Sequence, residues 1–414
     1  KMQQGNYVLE RSRSALYVER IKNFPRNSEF ESTLTFVSSD GSAGNFLQAV
    51  VPSAEAFTLR MHHSFIQLPE PGFQPRLFDP RSSFIPLTYF DYTTPVAEPL
   101  QQYYAIRHRL QKKDPSAPIS DPVRPIIYYL DRGTPEPIRS ALLEGASWWN
   151  QAFAAAGYRN AFQVALLPDS ADPMDIRYNV INWVHRSTRG WSYGASVVDP
   201  RTGEIIKGQV TLGSLRVRQD YLIAQGLLAA FRDTLPQPDP MLTFSLSRLR
   251  QLAAHEVGHT LGLMHNYASS ARNRSSVMDY PHPWVRLIGN QTINTDSAYD
   301  DKIGAWDKVA IRWGYQDFPG GTDQPAVLRQ MLTEAIQGGL LFISDRDARA
   351  PGGLHPQAHL WDNGSDAVTE LKSVMQVRAK ALQQFGANNI RSGTPMAFLE
   401  DVLVPIYFYH RYQL

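Results

Sequence analysis

The sequence contains no cysteine, and that absence excludes a disulfide framework, a thiolate metal ligand and a cysteine nucleophile together. No apolar run approaches the roughly 20 residues that a bilayer-spanning helix needs, so no integral membrane segment is expected. Excess charge is missing as well. Lysine plus arginine number 41 against 39 aspartates and glutamates, a formal charge of +2. That balance gives no electrostatic basis for a nucleic-acid or anionic-membrane partner. The chain opens Lys1-Met2-Gln3-Gln4 without an apolar signal core behind it, which reads as a fragment whose signal peptide lies outside it. Together with the missing disulfides, this leads us to expect an exported bacterial protein, periplasmic, cell-surface or secreted. The sequence says nothing about oligomeric state.

What is present suits a globular chain with a sizeable core. Apolar residues make up 43% and charged residues 19% of the 414 residues, and that length predicts two or three domains. No internal repeat stands out. Residues 1–95 are dense in β-branched and aromatic residues, as in Phe30–Val37, Phe46–Val51 and Phe57–Leu68, and are expected to form a β-rich N-terminal domain. Residues 96–122 are punctuated by proline and read as a linker. From 123 to 290 the pattern turns mixed. A strand is expected at Pro125–Leu130, followed by a helix in which Ile138, Leu142, Gly145, Trp149 and Phe153 recur at helical spacing. Further strands are expected at Phe162–Leu167, Ile176–Val184, Tyr193–Val198 and Glu204–Leu212, and a helix at Ser247–Leu261. Residues 291–414 read as mainly helical. The whole is expected to be an α+β protein.

The chemistry concentrates in His255-Glu256-Val257-Gly258-His259-Thr260-Leu261-Gly262-Leu263-Met264-His265. Residues four apart share one face of a helix, so His255 and His259 can aim ring nitrogens at one point. Gly262 can then turn the backbone sharply and bring His265 back toward them. Three neutral imidazoles with a fourth position open describe a catalytic metal site rather than a closed structural one. Glu256 adjoins a ligand and can take a proton from water activated by the metal. The pattern with Gly262 and His265 is expected on the order of 10⁻⁵ times by chance in a chain of this size.

These residues resemble the extended zinc motif of the metzincin metallopeptidases, His-Glu-x-x-His-x-x-Gly-x-x-His. Ser276-Val277-Met278-Asp279-Tyr280-Pro281 looks like the methionine-containing turn that underlies the zinc in that clan. The resemblance implies a twisted mixed sheet with an active-site helix, Zn²⁺ as the cofactor, and His255, His259 and His265 as its ligands. It also implies Met278 as a hydrophobic floor, and Tyr280 as a further ligand or a donor to the oxyanion. An edge strand above the cleft pairs with extended substrate in the clan. Gly194, Ala195 and Ser196 are the candidates here, because small residues let a peptide backbone approach. The chain as a whole resembles bacterial zinc-dependent metalloproteases with poorly characterised N-terminal regions. Nickel or cobalt would tolerate the same imidazoles, so zinc rests on the ligands and the resemblance together.

The expected function is therefore a zinc-dependent endopeptidase acting on polypeptide, with Glu256 as general base. The rival reading is a non-catalytic or latent zinc-containing module that binds polypeptide or glycan. The intact Glu256 argues against it. His62 and His63 are neighbours on a predicted strand and point to opposite faces, so they cannot chelate side by side. Trp149 falls on an apolar helical stripe and is expected in the core. Asp169, Asp172 and Asp175 lack the glycine and closing glutamate of an EF-hand loop. With no cysteine to hold the site latent, Asp79 and Asp91 are the candidates for an aspartate in that role.

Overall fold

Alternating β-branched and aromatic residues between 27 and 66 produce a long antiparallel pair, and the rest of the first structural unit is arranged around it. The computed structural model describes residues 4–186, 191–231, 239–289, 291–352 and 355–414. They divide into two units, Lys1–Pro69 with Ser170–Tyr178, and Glu70–Asp169 with Asn179–Leu414. In the first, β1 (Tyr7–Leu9), β2 (Ala15–Leu16), β3 (Lys22–Phe24) and β5 (Ala56–Ile66) all pair antiparallel with β4 (Asn27–Ser38), and the short helix α1 (Asn45–Val50) joins β4 to β5. The buried Glu29 carboxylate on β4 accepts hydrogen bonds from Asn27 and Ser64 and bonds the His62 ring at 2.6 Å. His62 therefore serves the sheet.

The second unit begins with β6 (Arg76–Leu77), β7 (Pro86–Phe90) and β8 (Gln101–Ala105), a small antiparallel sheet in the order β6-β8-β7. Next come β9 (Arg107–His108), β10 (Ile126–Leu130), the helices α2 (Ile138–Ser147) and α3 (Asn150–Ala155), β11 (Phe162–Leu166), β12 (Asn179–Val184), β13 (Tyr193–Val198) and β14 (Glu204–Gly213). The main sheet runs β11-β10-β12-β14-β13. Its first four strands are parallel and β13 is antiparallel on the edge. β9 also pairs parallel with β14, through Glu204↔Arg107 and Ile205↔His108. Helices α4 (Leu215–Leu228) and α5 (Pro240–Thr260) follow, then the hairpin β15 (Arg286–Ile288) and β16 (Thr292–Asn294). The C-terminal part is helical, with α6 (Ala305–Tyr315), α7 (Gln324–Gln337), α8 (Asp345–Ala348), α9 (Ala367–Gln383) and α10 (Leu399–Tyr407). The molecule is thus α+β, with a β-rich N-terminal part.

The division does not fall at the expected 1–95 domain and 96–122 linker. It falls after Pro69, because the backbone beyond it is committed to the second unit. Ile85 N–H donates to the Gly262 carbonyl, Ile106 N–H to the Ile85 carbonyl, and β9 extends the main sheet. Phe84 is fully buried against Trp313 and Tyr315 of α6. Ala105 and Leu110, inside the expected linker, belong to the core of the second unit. Ser170–Tyr178 belongs to the first unit by the same contact logic: Asn27 bonds the Met174 carbonyl and the Ile176 N–H, and Lys22 pairs with Asp172. Of the three aspartates considered for calcium, Asp169 pairs with Arg132 and Asp175 with Arg177.

The core that positions α5 lies between the main sheet, α2, α3 and α6. Trp149, Phe153, Phe162 and Tyr128 are fully buried there, and the Trp149 indole donates to the Ala254 carbonyl of α5 at 2.8 Å. The two helices touch backbone to backbone at Gly145, where a Cβ would lie 2.1 Å from the Arg250 carbonyl oxygen. Among the described residues no helix is long and apolar enough to cross a membrane.

Candidate metal centre

Helix α5 starts earlier than the apolar stripe predicts. Asp239 accepts hydrogen bonds from the N–H groups of Met241 and Leu242, and Pro240 occupies the first turn, where a missing N–H costs little. The helix then runs buried through its C-terminal half, from Gln251 to Gly258. It ends because Gly262 adopts φ +97°, a left-handed conformation that side chains disfavour. A Cβ at that position would also meet the Ile106 carbonyl at 2.2 Å. Leu263 and Met264 follow the turn, and His265 comes back against the helix.

The three imidazoles converge. Ring centroids are 4.8 Å apart for His255 and His259, 4.7 Å for His259 and His265, and 5.3 Å for His255 and His265. One potential ligand atom from each lies within 4.8 Å of the others, the only such three-residue group among the described residues. The other ring nitrogen of each histidine is occupied. His255 Nδ1 bonds the Val277 carbonyl at 2.8 Å, His259 Nδ1 the Leu263 carbonyl at 2.8 Å, and His265 Nδ1 the Asp345 carboxylate at 2.7 Å. Carbonyl and carboxylate oxygens only accept, so each Nδ1 carries the proton and each Nε2 keeps its lone pair. His265 Nε2 is buried with no hydrogen-bond partner. A buried orphan acceptor facing two others is what a bound cation would satisfy, and three neutral imidazoles are a donor set suited to zinc. Burial and the neighbouring imidazoles hold His255 well below its ordinary range, and burial with His265 holds His259 down at about 4. Both are therefore unprotonated at neutral pH.

The turn after the motif lies against the helix. Gly258, between the first two histidines, is packed so closely that a Cβ would sit 2.3 Å from the Met278 sulfur. Met278 is itself buried. The Val277 carbonyl takes a second hydrogen bond, from Gln251 Nε2 at 3.0 Å. Asp307, fully buried on α6, accepts from Ser276 Oγ at 2.6 Å, Val277 N–H at 2.9 Å and Gly304 N–H at 2.8 Å. Tyr280 stands over the imidazoles, its ring centroid 4.5 Å from His265 and 5.5 Å from His255, and stacks on Trp361 at 5.1 Å. Burial and the Glu256 charge raise its phenol, which stays protonated and able to donate.

Glu256 is buried. Burial pushes its carboxyl up to about 7, against the pull of Arg248 and a hydrogen bond from the Gly194 N–H. That bond links the helix to edge strand β13. The smallness of Gly194 has a different cause from the one expected. A Cβ there would meet the Glu256 carbonyl at 2.1 Å and His259 Cβ at 3.0 Å, so the missing side chain admits the helix. Ser196 faces the same way, 3.5 Å from the Thr260 carbonyl, and Ala195 between them is exposed. Asp79 is engaged by Arg81, and Asp91 closes a turn onto Thr93.

Two residues of this centre carry no signal in the motif. Asp345 lies 80 residues beyond His265, and Tyr267 donates to its other carboxylate oxygen at 3.0 Å. Although burial works against it, the bond to His265 holds the Asp345 carboxyl down at about 2. Asp307 is equally remote, reaching Ser276 from 31 residues away. Only a tertiary structure brings such distant carboxylates to the site.

Residues 237–414 match the family model described as Met-zincin. The match supports a metzincin-clan, metallopeptidase-like fold for this stretch. The stretch contains all three histidines, the turn of Met278, and Asp307 and Asp345. Residues 1–113 match a family described as a domain of unknown function, DUF5117. No curated protein matches the chain. Among solved structures it is similar to the archaemetzincin of Methanopyrus kandleri, at 14% identity over 53% of this chain and 98% of that one, with a TM-score of 0.19.

Replacing Asp345 with alanine should weaken the metal by about 10–100-fold, measured by competition with a chromophoric chelator. A second expectation concerns the chelated, metal-free protein. The Glu256 carboxyl is raised from 4.5 to about 7, so its stabilising contribution is complete below pH 4.5 and is lost as pH rises through 7. Glu256→Gln is neutral throughout. Its melting temperature should therefore rise relative to wild type between pH 5 and pH 8, and an unchanged difference would contradict the burial argument.

Proposed function

We propose that this chain is a zinc-dependent endopeptidase, with His255, His259 and His265 as the zinc ligands and Glu256 as general base. The observation that carries the reading is the pinning of all three Nδ1 atoms, which leaves three Nε2 lone pairs on one point beside a buried carboxyl. Zinc bound there supplies a Lewis acid that polarises a carbonyl and brings the pKa of a coordinated water toward neutrality.

The remaining work belongs to the protein. Glu256 takes a proton on its carboxylate during attack and delivers it to the departing amine. Its burial raises the basicity that this exchange requires. Tyr280, protonated and above the imidazoles, donates its O–H to the oxygen on which negative charge develops. Strand β13 lies on the sheet edge, and an extended polypeptide adds to it antiparallel through backbone hydrogen bonds. Recognition by backbone along a strand suits cleavage within a chain. Met278 fills the space against Gly258, between His255 and His259 on the helix.

The test is hydrolysis of casein by wild type and Glu256→Gln at matched, measured zinc content. The substitution should lower the rate at least about 100-fold while zinc is retained. Equal rates would sink the assignment of Glu256. Zinc in both proteins with cleavage by neither would favour the binding-module reading. Tyr280→Phe should cost about 100-fold in kcat with KM little changed. A change confined to KM would place Tyr280 in substrate binding instead.

A further inference from the structure

Away from the histidines, the second unit contains a cavity of about 500 Å³. Four arginines, Arg76, Arg107, Arg109 and Arg329, and two aspartates, Asp79 and Asp317, line it. Most of these charges are accounted for within the protein. Arg109 forms a two-pronged pair with Glu204, at 2.9 and 2.8 Å. Asp79 pairs with Arg81 at 2.7 Å. Arg76 donates to the Trp313 and Gln316 carbonyls, where α6 ends and its dipole is negative.

Arg107 is the buried arginine of this wall with the fewest partners, a single carbonyl acceptor and no paired carboxylate among the described residues. It is only 7% exposed, and among the described residues it forms no ion pair. Its guanidinium donates to the Gln74 carbonyl and lies over the Phe73 ring at 4.5 Å. Its Nε is buried without a hydrogen-bond partner. An arginine removed from water without a paired carboxylate is costly, because one carbonyl and one ring replace only part of its hydration. Arg329, exposed, also lacks an ion pair among the described residues. Asp317 is the one remaining acid on the wall, and its carboxylate accepts from the N–H groups of Lys112 and Phe318. Arg107 and Arg329 are therefore left with Asp317 as the one acid on the wall that no arginine pairs, around a space that also presents apolar side chains such as Phe78, Trp313 and Leu328.

We propose that this cavity binds a small organic anion, a phosphate or carboxylate group on an apolar body, with Arg107 as its buried partner and Arg329 at its mouth. The planar guanidinium fork matches an oxyanion in two-point geometry, and the rings accommodate the body. The site is independent of the zinc reading. It needs neither the histidines nor turnover.

Phenyl phosphate, benzoate and neutral benzyl alcohol serve as probes, titrated calorimetrically into the full-length zinc-loaded protein. At least one anion should bind, and benzyl alcohol should not. Arg329→Ala, which removes an exposed side chain, should weaken that anion about tenfold or more, while an anion held at the zinc would be unaffected. Arg107→Lys should weaken it further by replacing the fork with a point charge. Phenyl phosphate and benzoate compared with each other identify which oxyanion is preferred. Absence of binding by both anions at 10 mM, on the order of the weakest specific affinities, would overturn the proposal. So would equal binding of benzyl alcohol, or anion affinity unchanged in both variants.

Discussion

The Val277 carbonyl is the point on which the centre depends. It accepts from His255 Nδ1 and from Gln251 Nε2, two residues one turn apart on α5, and so ties the helix to the turn that carries Met278. That carbonyl is itself fixed, because Asp307 on α6 holds the N–H of Val277 and the hydroxyl of Ser276. The buried Asp307 carboxyl is pushed up to about 6 by burial and is still ionised at neutral pH, where it accepts three hydrogen bonds. A chain of donors and acceptors thus runs from α6 through the turn to the first histidine. Each member is buried, so each bond is expensive to leave unmade.

The same economy explains the glycines of the motif. Gly258 lets Met278 approach the helix between two histidines, Gly262 turns the chain under Ile106, and Gly194 lets the edge strand come down onto Glu256. Three close approaches at three points define where the helix, the turn and the strand meet. The imidazoles are then held from outside by a carbonyl, a carbonyl and a carboxylate, which sets both ring orientation and tautomer. Rigidity on the outer nitrogens is what leaves the inner ones free to act together.

How much of this was legible in the sequence follows from range. Spacing within a helix is local, so His255, His259, the stop at Gly262 and the return of His265 could be read directly, and so could the strands around Ile126, Phe162 and Glu204. The early start of α5 is set by the Asp239 cap and Pro240, which lie outside the apolar stripe that marks the rest of the helix. Asp307 and Asp345 were invisible, since one aspartate among many carries no mark of a partner 31 or 80 residues away. The unit boundary failed for a related reason. Proline-rich composition over residues 96–122 describes the local backbone and says nothing of β9 joining the main sheet or of Leu110 entering the core. Gly194 shows a third kind of limit: a small residue signals a close approach without saying what approaches.

The central claim is an open three-histidine metal centre, and the X-ray absorption spectrum of the zinc-loaded protein at the zinc edge tests it most directly. The account predicts one zinc per chain with three imidazole nitrogens at about 2.0–2.1 Å and the remaining shell made of exchangeable light atoms. Fewer than three imidazoles, or a fourth ligand from the protein that closes the site, would contradict it.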